Sequence, residues 1–236
     1  MNALFSIIQT IGIFLAGLVV RFGLLVAVLL VLTAIFLVGL GIVRLAGALR
    51  RRVLGLSVAD GVSWKRQGYY APGHTWVASV RGQAAIRVGF DDVAQHVLGH
   101  VTAVTFPSPG TKVQEGEPLA EVTCANGRAV IPAPAGGTVL AFNNAVIDDP
   151  TLIHRDPYRR GWLVSLEPAN TAYTRLLWGD AAKRWLREES NRWSRVLEEQ
   201  LQLHAADGGE LTAPGASLLN AEQWNATVRS FLKTEG

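Results

Sequence analysis

The run "FGLLVAVLLVLTAIFLVGLGIV", from Phe22 to Val43, holds no charged residue. As a helix rising ~1.5 Å per residue it would span ~33 Å, enough to cross the hydrocarbon core of a bilayer. Residues 22–49 are therefore expected to form a single transmembrane helix. A secretory signal would have a shorter apolar core behind a basic amino end, whereas Met1 to Thr10 contains no basic residue. The bases come afterwards, at Arg44, Arg50, Arg51 and Arg52, then Lys65 and Arg66. By the positive-inside rule they place the rest of the chain in the cytoplasm, with the four arginines against lipid headgroups. The upstream stretch "ALFSIIQTIGIFLAGLVV" is apolar too, but "VVRFG" leaves too little chain for a hairpin loop. Residues 1–21 are read as a membrane-surface segment leading into the span. Thr33 is the only polar residue of the run, which argues against an ion or redox centre within it.

The net charge of +3 has a local origin. Through Gly68 there are seven Lys/Arg against the single Asp60, leaving fifteen against eighteen acids in the remainder. The basic balance thus reports the membrane junction, and no basic-aromatic motif points to nucleic acid. One cysteine, Cys124, excludes an internal disulfide and a thiolate cluster.

Beyond a basic juxtamembrane linker, residues 50–68, the texture changes to short runs rich in Val, Ile and aromatics, broken by Gly and Pro. "HTWVASV" and "QAAIRVGF" read as strands, "DDVAQHVLG" as a helix capped by Asp91 and ended by Gly99. "HVTAVTF", "EPLAEVTC", "RAVIPA" and "GTVLAF" read as further strands. Together they predict a small β barrel or sandwich. From Tyr173 apolar residues recur at three and four, including Trp178, Trp185 and Trp193, which predicts an amphipathic helix carrying all three tryptophans near one face. "AADGGELTAPGAS" reads as a loop and "NAEQWNATVRSFLK" as a last helix.

Five ordered blocks, "GHTWV", "VGFDDVAQHVLGHVTAV", "PSPGTKVQEGEPLAEV", "APAGGTVLAFN" and "DPYRRGWLVSLEP", resemble the corresponding blocks of the H-protein of the glycine cleavage system. The resemblance covers Tyr70 to Asn170 and includes neither the apolar run nor the Trp-containing helix. It implies a mainly β fold, a lipoyl-like barrel-sandwich hybrid over residues 69–170, here following an N-terminal transmembrane helix and preceding a C-terminal helical extension, residues 171–236. In the family a protruding hairpin reads E-S-V-K-A, and its lysine carries lipoate. An ungapped count back from "APAGG" puts Asn126 at that position, with Cys124, Gly127 and Arg128 as its neighbours. None can be acylated through a side-chain amine, so the resemblance implies a vacant lipoyl position and no bound cofactor. Lys112, in "PGTKVQEG", belongs to a different turn.

Other candidates have plain readings. Cys124 as a substitute carrier would need a basic neighbourhood, and only Arg128 is near in sequence. His96 and His100 are spaced i, i+4, but Gly99 should end the helix between them, and no third ligand has recognisable spacing. Asp148, Asp149 and Asp156 read as turn caps. No catalytic residue and no metal site is expected. The three tryptophans are candidate partner anchors, with core packing and the bilayer surface as alternatives.

The expectation is a non-catalytic, single-pass scaffold subunit of a bacterial inner-membrane complex, respiratory or photosynthetic, with its domain in the cytoplasm and its partners lipid and other integral membrane subunits. A membrane-anchored lipoyl carrier of a glycine-cleavage-like system and a membrane-fusion-type transport adaptor are the alternatives. With an idle tip, replacing Asn126 or Arg128 by Ala should cost little stability, Asn126 somewhat more than Arg128 because it sits in a tight turn.

Overall fold

In the computed structural model, residues 2–53, 56–59, 62–201 and 215–233 are described. The chain divides into two units, residues 1–54 and 55–236.

The first unit is one helix, α1 (Asn2–Val53). It runs unbroken through Arg21, so the segment read as separate over residues 1–21 is continuous with the apolar run after it. No proline interrupts it, and a side chain at Gly17, Gly23, Gly39 or Gly41 would meet nothing within 4 Å. Within it, Arg21–Leu45 is long and apolar enough to cross a membrane, and none of that window is buried by other parts of the chain. The Thr33 hydroxyl donates to the Leu29 carbonyl at 2.8 Å, which satisfies it inside its own helix.

The second unit begins with a hairpin where a linker was expected, β1 (Leu56–Ala59) and β2 (Val62–Lys65). It is short, and the alternation of Val62 and Trp64 inward with Ser63 and Lys65 outward becomes visible only once the partner surface exists. Next come β3 (Tyr69–Ala71), β4 (Thr75–Ser79), β5 (Ile86–Phe90), α2 (Asp92–Leu98), β6 (Val101–Thr105), β7 (Lys112–Val113), β8 (Pro118–Cys124), β9 (Gly127–Pro132) and β10 (Gly137–Phe142). Two short helices, α3 (Asn144–Asp148) and α4 (Leu152–Arg155), lead to β11 (Trp162–Pro168). A 3-10 turn at Ala172–Arg175, β12 (Leu177–Trp178), α5 (Gly179–Leu201), a 3-10 turn at Gly215–Leu218 and α6 (Ala221–Leu232) complete it.

The strands form a seven-stranded antiparallel sheet, β12-β3-β4-β5-β11-β10-β7, and a three-stranded one, β6-β8-β9. Ile86, Val88, Val139, Val164 and Leu166 from the first and Leu119, Val122 and Ile131 from the second are buried in one continuous core. This is the mainly β barrel-sandwich with C-terminal helices that the sequence predicts. The helices join the same core through Leu186, Trp193 and Leu197 on α5 and Trp224, Val228 and Phe231 on α6.

Local chemistry fixes the turns. Asp91 caps α2 by accepting from the Val93 and Ala94 amides, both at 2.9 Å. Tyr158, in the loop after α4, donates its hydroxyl to the Ser63 carbonyl at 2.8 Å and accepts from the Asp92 amide at 3.0 Å, binding loop, β2 and α2 together. A side chain on Gly89 would enter the Trp76 ring, with a Cβ 2.7 Å from it. Asn220 and Gln223 form a reciprocal capping box at the start of α6.

Candidate functional site

Strands β8 and β9 are joined by a tight turn with Cys124 paired to Gly127, and this is the tip at which the resemblance places the carrier residue. Asn126 is not an idle surface residue there. Its Nδ2 donates to the backbone carbonyls of Ala216, at 3.0 Å, and Leu219, at 2.7 Å. Beside it, a Cβ on Gly127 would lie 2.7 Å from the Trp224 ring, so only glycine lets the turn sit against that indole. Trp224 is fully buried and its Nε1 donates to the Leu98 carbonyl at 3.3 Å. The Ala125 amide donates to the His100 carbonyl at 3.3 Å. The tip is thus closed by the segment running from the second 3-10 turn into α6.

Cys124 is buried, and burial pushes its thiol up to about 12, which leaves it protonated and poorly nucleophilic. Arg128 is exposed and stands 3.4 Å from Glu121 Oε1 across the hairpin, a weak surface pair. None of the groups at the tip is arranged for covalent attachment.

A second polar centre lies where α5 meets the barrel. His74 is buried, with Nδ1 2.9 Å from Asp91 Oδ2 and Nε2 3.3 Å from Glu189 Oε2. Burial opposes a charge on the ring, but the Asp91 carboxylate and then Glu189 outweigh it, and the pKa rises to about 9. The hydrogen bond from His74, with Arg192 beside it at 2.8 Å, holds the Glu189 carboxyl below its ordinary range. The Trp185 ring stacks on the imidazole at 4.7 Å between centroids. His74 adopts φ 57°, an unusual conformation for a non-glycine residue, fixed by its amide donating to the Ala71 carbonyl and its carbonyl accepting from the Asp91 amide. Sequence reading missed this centre because its members lie 17 and 115 residues apart.

The three tryptophans part company. Trp193 is buried and meets Phe231 edge-on, Trp185 is half-buried against His74, and Trp178 is 58% exposed. Contrary to the expectation from its spacing, Trp178 does not belong to the helix. It lies in β12, paired with Tyr69 of β3, and Gly179, at φ 59°, turns the chain as α5 begins. Arg44 is exposed on α1, while the side chains of Arg50, Arg51 and Arg52 lie outside the described residues. Lys112 is exposed in β7. His96 lies in α2 and His100 beyond the Gly99 cap, as the glycine predicts. Asp149 caps Thr151 and pairs with Arg155, and Asp156 pairs with Arg159 at 3.5 Å. Among the described residues no three His, Cys, Asp or Glu side chains come together as a metal site.

The profile of the family described as "Glycine cleavage H-protein" matches residues 68–189. The glycine cleavage system H protein of Micrococcus luteus is 37% identical over 103 residues, 44% of this chain and 80% of that one. That of Thermoanaerobacter sp. (strain X514) is 34% identical over 122 residues, covering 51% of this chain and 94% of the relative. Among solved structures, the glycine cleavage system H protein of Mycobacterium marinum aligns with a TM-score of 0.46 and 30% identity, covering 56% of this chain and 99% of that chain. The profile match begins just before β3, takes in both sheets and ends at Glu189, the residue that α5 offers to His74. By the profile and the sequence relatives, the chain belongs to the glycine cleavage H-protein family.

Proposed function

We propose that this protein is a non-catalytic, membrane-anchored scaffold that uses an H-protein fold without the carrier chemistry. One observation supports this reading above the others. The position expected to bear a lysine is Asn126, and its amide is engaged by the carbonyls of Ala216 and Leu219 while Trp224 packs on Gly127. A swinging arm needs a free tip with a nucleophilic amine, and this tip has neither. The helix α1 supplies an anchor of bilayer length over Arg21–Leu45. The arginines that follow it favour the bacterial inner membrane with the domain on the cytoplasmic side. The partners are then lipid and other integral subunits of a membrane complex.

The test is purification of the full chain from its native membrane in mild detergent, with intact-mass measurement and identification of stoichiometric companions. The expected result is an unmodified mass and a fixed set of integral membrane subunits. A mass increase of one lipoyl group would overturn the scaffold reading, and so would a chain that leaves the membrane alone at every detergent concentration.

A further inference from the structure

The turn at the tip contains the one Asn-Gly pair of the chain, Asn126–Gly127. Such a pair is chemically unstable wherever it is free to move. The backbone nitrogen of the glycine, with no Cβ beside it to hinder the approach, attacks the asparagine Cγ and closes a succinimide ring. The new bond joins that nitrogen to Cγ, the Cγ–Nδ2 bond breaks, and Nδ2 leaves as ammonia with the proton given up by the glycine nitrogen. Water then opens the ring at either carbonyl, giving aspartate or isoaspartate. The net change is one water in and one ammonia out, with nothing oxidised or reduced.

The fold restrains every group that this reaction must move. Nδ2, the leaving nitrogen, donates to the Ala216 carbonyl at 3.0 Å and the Leu219 carbonyl at 2.7 Å, which holds the side chain toward the second 3-10 turn. The attacking nitrogen belongs to a residue that closes the hairpin opposite Cys124, and the neighbouring Ala125 amide is bonded to the His100 carbonyl at 3.3 Å. The Trp224 ring lies against the glycine, where a Cβ would be 2.7 Å from it. Ala216, Leu219 and Trp224 all belong to residues 215–232, the 3-10 turn and α6. The chemical lifetime of Asn126 therefore depends on that segment staying seated.

We propose that Asn126–Gly127 is a deamidation site gated by the chain's own C-terminal segment, and that its product keeps the segment from reseating. An ionised aspartate only accepts hydrogen bonds. At position 126 its oxygen would stand where Nδ2 now stands, facing two part-buried carbonyl oxygens that have lost their donor, so two attractions become two repulsions. Isoaspartate goes further, because its main chain runs through the former side-chain carbon and lengthens a turn whose register is set by Cys124 and Gly127. Either product leaves Trp224 against a turn that no longer fits it. The reaction does not run backwards, so a single lifting that ends in ring closure converts a closed tip into a lastingly open one. None of this chemistry requires a membrane or a partner.

The experiment compares the full chain in detergent with the unstructured peptide EVTCANGRAV, both kept reduced at neutral pH and one temperature, and follows conversion by mass spectrometry of the tip peptide. If the segment must lift first, the rate in the folded chain is the peptide rate multiplied by the fraction of time spent open. Wild type should therefore deamidate at least tenfold more slowly than the peptide. Asn220→Ala, at an exposed position, removes the capping box of α6 and should raise the rate threefold or more. Asn126→Asp should speed amide hydrogen exchange across residues 215–232 about tenfold, and more than Asn126→Ala does, while protection in β4 and β5 on the other sheet shows that each variant is folded. Conversion of folded wild type at the peptide rate would overturn the proposal without recourse to any variant. So would an unchanged rate in Asn220→Ala, or exchange in Asn126→Asp no faster than in Asn126→Ala.

Discussion

Asn126 Nδ2 and the Leu219 carbonyl oxygen meet at 2.7 Å across ninety-three residues of sequence. That contact turns the tip of the β8–β9 hairpin from a surface feature into an internal junction. Asn126→Ala removes this bond and the one to Ala216, leaving two part-buried carbonyls without their donor. These two bonds raise the expected cost above that of a residue merely held in a tight turn. A loss of about 1–3 kcal/mol is expected, measured as a lowered unfolding midpoint of the full chain in detergent. Arg128→Ala, at a side chain 74% exposed, should stay within about 0.5 kcal/mol.

Introducing a lysine at the tip should not create a carrier. In Asn126→Lys the ammonium group would point at the same two carbonyls beneath the C-terminal segment. Incubation with lipoate ligase, lipoate and ATP is expected to leave its intact mass unchanged. A quantitative gain of one lipoyl group would show that the segment yields easily.

Gly127→Ala should be more damaging than its one methyl group suggests. The added carbon would sit 2.7 Å from a buried indole that is itself hydrogen-bonded to Leu98. Such overpacking costs about 1–3 kcal/mol, visible as an earlier thermal transition.

Stability should fall on the alkaline side. His74 has a folded pKa of about 9 against ~6.5 unfolded, so its contribution is complete below pH ~6.5 and disappears as pH rises through about 9. The raised pKa corresponds to about 3 kcal/mol. Glu189, with its folded pKa lowered, acts on the other side, and its smaller contribution is lost as pH falls through that lowered value. Denaturant titrations between pH 6 and pH 10 should show the alkaline decline, and His74→Gln should flatten it.

The tryptophans separate packing from recognition. Trp193→Ala should cost about 3–5 kcal/mol of folding, since the ring is buried against Phe231. Trp178→Ala should leave the melting temperature within a degree or two, because the ring is mostly in solvent. Loss of membrane companions in that variant alone, read by co-purification, would mark Trp178 as the docking residue.

Legibility in the sequence followed the range of the interactions. Strands β4, β5, β6, β8, β9 and β10, the Asp91 cap and the Gly99 stop are written in neighbouring residues, and the structure has them where the patterns put them, whereas the short β3, β7 and β12 carry no pattern of their own. The hairpin at Leu56–Lys65 was hidden because Lys65, Arg66 and the preceding arginines look like a solvated linker. Trp178 fell on the helical spacing of Trp185 and Trp193, but a left-handed glycine intervenes. That the tip holds no lysine could be read directly, whereas its closure by Ala216, Leu219 and Trp224 could not. Nothing in "NAEQWNATVRSFLK" announces a contact with a turn some ninety residues earlier. The His74 centre was invisible for the same reason, since a histidine, an aspartate and a glutamate far apart in sequence have no shared period.

The short pairing of Leu177 and Trp178 with Tyr70 and Tyr69 has a consequence for solubility. Without β12, β3 would end the seven-stranded sheet and offer its free amides and carbonyls to any extended chain it met. Two residues, placed just before α5, blunt that border, and at the far end the border strand β7 is itself only two residues long. A chain shortened to stop after β11 would therefore carry an unprotected sheet border and should associate strand to strand in solution.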